Sequence, residues 1–234
     1  MMWRRTLSSG ALLALLAMRP AAPQSGSHEP RRWERPQVGL NLALGLGRGP
    51  FQQFVRAAGG FGAYGAVPIA LHGGLALRAD LSVLFHGFDS WSGPPAFDTE
   101  SYITSLRAGP QVALRLGRVQ LYGFWAGGFS YFATDANPDD ACGCDFTETL
   151  HDDLTWATEI GGGVRVALGR SLSNTALDLG VRGLRNGVAS YVTENGVTQN
   201  SDGSFTIRPI RSEANLLLIQ LGVSVSLRWG RHRQ

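Results

Sequence analysis

The chain contains no lysine: its 21 basic residues other than histidine are all arginines, set against 18 acids. Three of those arginines, Arg4, Arg5 and Arg19, fall in the first 27 residues. The remainder is balanced at 18 against 18, so the formal charge of +3 belongs to the leader. A balanced chain has no basic footprint for nucleic acid, and arginine-only usage has a plain reading in coding-sequence composition. Cysteine is nearly missing as well. Only Cys142 and Cys144 occur, so disulfides do not build the fold. No apolar run approaches the roughly 20 residues that a membrane-spanning helix needs.

The leader is the first positive signal. Arg4 and Arg5 precede the short apolar stretch Ala11 to Met18, and small residues follow around Ala21–Ala22 or Ser25–Ser27. This is the layout of a secretory signal over residues 1–27, in which Pro23 spoils the tidiest cleavage site. No cysteine lies near the exit to carry a lipid anchor. Residues 28–36 are polar and proline-flanked, and are expected to form a short periplasmic lead.

From there the chain alternates with a period of two, which gives a strand one apolar and one polar face. Val38 to Gly47 sets Leu40, Leu42, Leu44 and Leu46 against Gly39, Asn41, Ala43 and Gly45. A glycine-rich strand over Gly60 to Val67 is expected to stop at Pro68, with the next turn at residues 68–74. Leu75 to Phe85 and Tyr102 to Leu116 follow, separated by a loop over Trp91 to Ser101. The pair Gly117-Arg118 turns the chain into Val119 to Tyr131, where Tyr122 and Phe124 blur the alternation. After a long loop, Ala133 to Asp153, come Leu154 to Leu168, a turn at Arg170 to Asn174, and Ala176 to Leu184. A second long loop, Asn186 to Arg211, has strand-like edges at residues 190–193 and 205–207, which suit either a hairpin above the membrane or an extra strand pair. With the last strand the count is eight, or ten if that pair joins the wall. Short and long connections alternate.

That last strand, Asn215 to Trp229, is the longest pattern. Leu217, Ile219, Leu221, Val223, Val225, Leu227 and Trp229 share one face, and Gln220, Gly222, Ser224, Ser226 and Arg228 the other. About nine to eleven residues suffice for a tilted strand to cross a bilayer. The stretch resembles the terminal strand of bacterial outer-membrane β-barrels. Its insertion signal falls on Gln220, Gly222, Val225 and Leu227, with the aromatic end at Trp229, after which residues 230–234 form a short tail. In pattern, nearly all of the chain after residue 27 resembles the OmpA-like and OmpX-like small barrels. The resemblance implies an all-β, eight-stranded, antiparallel up-and-down transmembrane barrel over 37–229, with short periplasmic turns and long external loops. It also implies outer-membrane lipid and lipopolysaccharide as surroundings, the barrel-assembly machinery as the partner during insertion, a monomer, and no cofactor.

A soluble eight-stranded barrel of the lipocalin kind would turn its apolar face inward, and alternation alone does not separate the two. The leader, the terminal strand, and aromatics gathered at strand ends (Phe85, Tyr102, Phe129, Tyr131 and Trp156, with Trp229 at the other rim) favour the membrane. Strand parity then sends Arg78, Asp80, Arg107, Arg115, Glu159, Arg165, Asp178, Arg182 and Arg228 into the lumen. An arginine facing lipid at mid-membrane would cost about 2–4 kcal/mol. Inside an eight-stranded barrel, just wide enough for its own side chains, six arginines and three carboxylates are expected to pair as a plug, since unpaired buried charge is costly. A channel lined by arginine is the competing reading.

One loop segment is chemically conspicuous. Residues 135–153 hold seven acids, both cysteines and His151, without a basic residue. Grouped carboxylates suit Ca²⁺ or a bridge to divalent ions at the lipopolysaccharide surface. Cys142, Cys144 and His151 lack a fourth ligand at a zinc spacing, and a local disulfide between the two cysteines in a solvated acidic loop is the plainer expectation. The His-x-Ser pair of small lipid A-trimming outer-membrane enzymes is absent after His72, His86 and His151. Asp139-Asp140 and His151-Asp152-Asp153 loosely resemble the loop residues of outer-membrane aspartyl-type proteases, which are larger barrels. A non-enzymatic barrel acting through its external loops is therefore expected. A membrane enzyme acting on lipid or peptide and a narrow diffusion channel are the alternatives.

Overall fold

A computed structural model describes residues 32–91, 97–138, 148–168, 174–193, 196–199 and 205–227. Seven long strands follow one another: β1 (Gln37–Arg48), β2 (Ala57–Ala70), β3 (Leu75–Trp91), β4 (Phe97–Leu116), β5 (Val119–Pro138), β6 (Glu148–Ala167) and β7 (Thr175–Asn186). Four short strands come next: β8 (Val188–Tyr191), β9 (Val197–Gln199), β10 (Phe205–Ile207) and β11 (Ile210–Glu213). The last is β12 (Asn215–Ser226). β1 to β7 and β12 close into one antiparallel up-and-down barrel in the order β1-β12-β7-β6-β5-β4-β3-β2. The wall therefore has eight strands. The strand-like edges of the second long loop do pair, β8 with β11 and β9 with β10, but as separate two-stranded sheets outside the wall.

Parity decides which face is inside. Leu40 is 71% exposed on the outer surface while Arg78 is fully buried in the lumen. Across the middle of the wall the leucines, valines and isoleucines point outward and the charged residues inward, so the lipocalin arrangement is overturned. Such an exterior is that of a barrel facing lipid.

Some boundaries differ from expectation. β2 runs on through Pro68 to Ala70, where the register with β3 shifts. Its pairing with β1 ends at Ala66, so the missing N–H of Pro68 costs no ladder bond there. The expected loops at Trp91–Ser101 and Ala133–Asp153 are shorter than the pattern implied. β3 and β4 remain paired up to Trp91 and Phe97, and β4 pairs with β5 as far as Pro138. These ends extend past the aromatic belt, where no lipid enforces alternation. The turn at Arg170–Asn174 lies, but for Asn174, outside the described residues, as do the 1–27 leader, Cys142 and Cys144.

Candidate functional site

Among the described residues buried charge is concentrated in the lumen, which is filled in three tiers. Their order follows from the inward-facing residues. Along β3 these read Ala76, Arg78, Asp80, Ser82, Leu84 from the short-turn end upward, and along β12 in the opposite chain direction Ser226, Ser224, Gly222, Gln220, Leu218, Leu216.

The middle tier is an ion-pair network. Asp80 accepts two bonds from Arg78, each 2.7 Å, and one from Arg182 Nη1 at 2.8 Å. Arg182 also reaches Glu159 Oε1 at 3.3 Å, and Arg107 Nε stands 3.0 Å from Glu159 Oε2. Arg165 Nε donates to Asp178 at 3.0 Å, and its other nitrogens reach Gln37, Gln111 and Gln120. Gln111 takes a further bond from Arg78 at 3.1 Å. The hydroxyls of Tyr64 and Tyr122 both donate to Asp178 at 2.7 Å.

Here four arginines face three carboxylates. The expected ratio of six to three is corrected at Arg115. Arg115 is only half-buried at the short-turn mouth, where it pairs with Glu34 at 3.2 Å and donates to the Trp33 carbonyl. Arg228 lies outside the described residues. Two of these paired arginines also lie over aromatic faces. Arg78 lies 3.9 Å from the Tyr64 ring centroid and 4.5 Å from that of Phe124, and Arg165 lies 4.1 Å from Tyr122. A cation over a ring is worth about 0.5–2 kcal/mol, the more so when desolvated.

Sequence reasoning missed these rings. Tyr122 and Phe124 share the parity of Gln120 and Ala126, so a strict count would have sent them inward despite their hydrophobicity. Tyr64 was hidden by the small residues around it, and that smallness is itself the signal. A Cβ at Gly39 would collide with the Tyr64 ring, and one at Gly180 would come within 2.9 Å of the Tyr122 hydroxyl.

The lower tier closes the short-turn mouth. Residues 32–34 make one helical turn, and Trp33 packs against Ala167 and Ala176 under the barrel. The upper tier was not expected. A helical turn after β1, Gly49–Gln53, carries Phe51 into the opposite mouth, fully buried among Leu84, Ile103, Phe132, Leu184 and Leu218. Tyr191 from β8 stacks edge-on to Phe51 with centroids 5.1 Å apart. The upper lumen is thus apolar, which corrects the expectation of a polar interior throughout.

The β8–β11 hairpin is tied down over this mouth. Asp153 accepts the Ser190 N–H at 2.7 Å, and His151 Nε2 lies 2.9 Å from Ser190 Oγ. A serine beside a histidine has the spacing of a nucleophile and its base. Here the Ser190 amide is also bonded to Asp153, so both contacts tie β8 to β6. Among the described residues no three His, Cys, Asp or Glu side chains gather as a metal site. Residues 139–147 of the acidic loop lie outside the described residues.

The terminal-strand residues are placed at the barrel seam. Gln220 and Gly222 point inward, opposite Ala43 and Asn41 of β1, while Val225 and Leu227 point outward. Trp229 is outside the described residues.

No protein-family model and no curated protein matches the chain. Solved structures do resemble it. Neisserial surface protein A is 15% identical, with a TM-score of 0.46, over 82% of this chain and 97% of its own. Ail, the attachment invasion locus protein of Yersinia pestis, is 12% identical, with a TM-score of 0.47, over 82% and 98%. A major outer membrane protein from Thermus thermophilus is 13% identical, with a TM-score of 0.42, over 82% and 99%. At such identities and scores the likeness concerns overall shape and says nothing of what this chain does.

Proposed function

We propose that the chain is a non-enzymatic barrel of the bacterial outer membrane, sealed to ions, that serves envelope integrity or surface contact through its external loops. The observation that carries this is the continuous filling of the lumen. Trp33 stands below, the arginine–carboxylate network in the middle and Phe51 above. A pore needs an unbroken column of water, and Trp33 at one end and Phe51 at the other oppose one.

The leader and the terminal strand support export and insertion through the assembly machinery. The outward leucines support lipid as surroundings, with lipopolysaccharide on the external side and a monomer as the functional unit. The long strands β3 to β6 would then project beyond the membrane as the contact surface. The test is conductance of the purified full chain in a planar bilayer. We expect no stable current. Steady, anion-selective current would instead make the arginines a pore lining and overturn the sealed reading.

A further inference from the structure

Two cations stand side by side at the outward surface of the seam where β1, β12 and β7 meet. Arg48 lies opposite Asn215 in the β1–β12 register, and Arg185 follows the Leu184–Leu216 pair of β7 and β12. The two arginines therefore flank Asn215 at the external strand ends. Both are exposed, and neither makes an ion pair among the described residues. Glu213 is the nearby acid, accepting from Asn215 Nδ2 at 3.1 Å.

Beneath Arg185 on the same face stands Gly183, which leaves the surface low. Further down the seam lies an apolar groove of about 600 Å³ lined by Leu40, Leu42, Phe61, Leu177, Leu221 and Val223. Arg48 and Leu42 are six residues apart on β1, roughly 20 Å along a strand. With a tilt of about 35–45° the groove starts about 15 Å below the arginines, which is half of the roughly 30 Å hydrocarbon core. A lipid with its headgroup at the arginines reaches the groove with its chain.

We propose that this seam binds one phosphorylated acyl glycolipid of the outer leaflet, with a phosphate monoester between Arg48 and Arg185 and one acyl chain laid past Gly183 into the groove. The inference rests on the outer-membrane reading above. A monoester carries a charge of about −1.5 to −2 near neutral pH, which matches two guanidinium forks better than the single charge of a phosphodiester. A second copy of the chain is a poor occupant, because a twofold contact at this seam would set Arg48 and Arg185 against their own copies.

The test is native mass spectrometry of the folded full chain in detergent with three probes: a phosphorylated acylated glucosamine disaccharide, the same lipid stripped of phosphate, and phosphatidylglycerol. The first is expected to bind about tenfold tighter than the other two, and R48Q or R185Q to remove most of that preference. E213Q should strengthen it. V223W, which fills the groove, should weaken all three lipids while leaving the phosphate preference. A heat-dependent gel shift identifies the folded fraction of each variant. Equal binding of the dephosphorylated lipid, or no effect of R48Q and R185Q together, overturns the proposal. So does a dimer that V223W abolishes. Membrane fractionation of cells is read separately: absence from the outer membrane defeats the parent reading, whatever the detergent result.

Discussion

Asp80→Asn is the sharpest probe of the lumen, because it removes a charge and almost no volume. Asp80 holds two arginines through three bonds, and its side chain is 1% exposed. Without its charge the middle tier falls from four arginines against three carboxylates to four against two. A pair with about 4 Å between charge centres is worth about 4 kcal/mol at an effective dielectric of 20, so the two partners lose about 8 kcal/mol of gross attraction. Part of that returns, since the carboxylate no longer has to be desolvated and Asn Oδ1 still accepts one bond. One-sided removal of a buried partner costs about 3–5 kcal/mol net, and that is the expected loss. The rings of Tyr64 and Phe124 pin Arg78 where it is, so it has no short route to water. Urea unfolding in detergent micelles, followed by tryptophan fluorescence, measures the change. Adding Arg182→Gln should recover at least about 1 kcal/mol, because one stranded cation disappears with its acid. A loss below about 1 kcal/mol for Asp80→Asn, or a double variant as weak as the sum of the two singles, would refute the network as a stabilising unit.

Protease added to intact cells should cut within the β5–β6 or β8–β11 connection and spare Gly117-Arg118; cleavage at that turn alone would invert the topology. Gly39→Ala should destabilise by about 1–3 kcal/mol, since its Cβ meets the Tyr64 ring, whereas Gly65→Ala, with nothing within 4 Å of its Cβ, should be near neutral by the same urea assay. Gly222→Leu should leave the chain in the periplasm to be degraded, because even a Cβ there collides with the Leu40 carbonyl at the seam; outer-membrane levels equal to the parent's would refute a role for the terminal strand in insertion.

The wall was legible because a strand inside lipid tolerates no error in alternation. Each charge on the outer face would cost kilocalories, and the leucines of β1 and β12 record that constraint residue by residue. Where the constraint lapses, so does the legibility. Above the membrane the ends of β4 and β5 pair without an apolar face, and Phe97–Ser101 read as loop. Inside, an apolar side chain is no error, so Leu84 and Ile103 carried no warning that the upper lumen is apolar. Residues 216–219, four apolar in a row, held the hint: Leu216 and Leu218 face Phe51 and its neighbours while Leu217 and Ile219 face outward. The Arg115–Glu34 pair joins positions 81 apart in the chain, a contact that no local pattern records.

The tiers depend on one another. Four cations and three anions in a dry lumen would draw in water, since a hydrated guanidinium is cheaper than a buried one. On the sealed reading proposed above, what keeps water out is not the network but its neighbours: Trp33 on one side, and Phe51 with Tyr191 on the other. Exclusion of water in turn lowers the local dielectric and strengthens each pair that Asp80, Glu159 and Asp178 make. The aromatic rings belong to both descriptions. Tyr64 and Tyr122 fill space as apolar bodies, donate to Asp178, and offer their faces to Arg78 and Arg165. A lumen built from paired charges alone would leave its fourth arginine without a counterpart. A lumen built from leucine alone would carry no directional bonds to fix strand against strand across the barrel. The glycines at 39, 163 and 180, where a Cβ would crowd Tyr64 or Tyr122, are the sequence's record of that compromise.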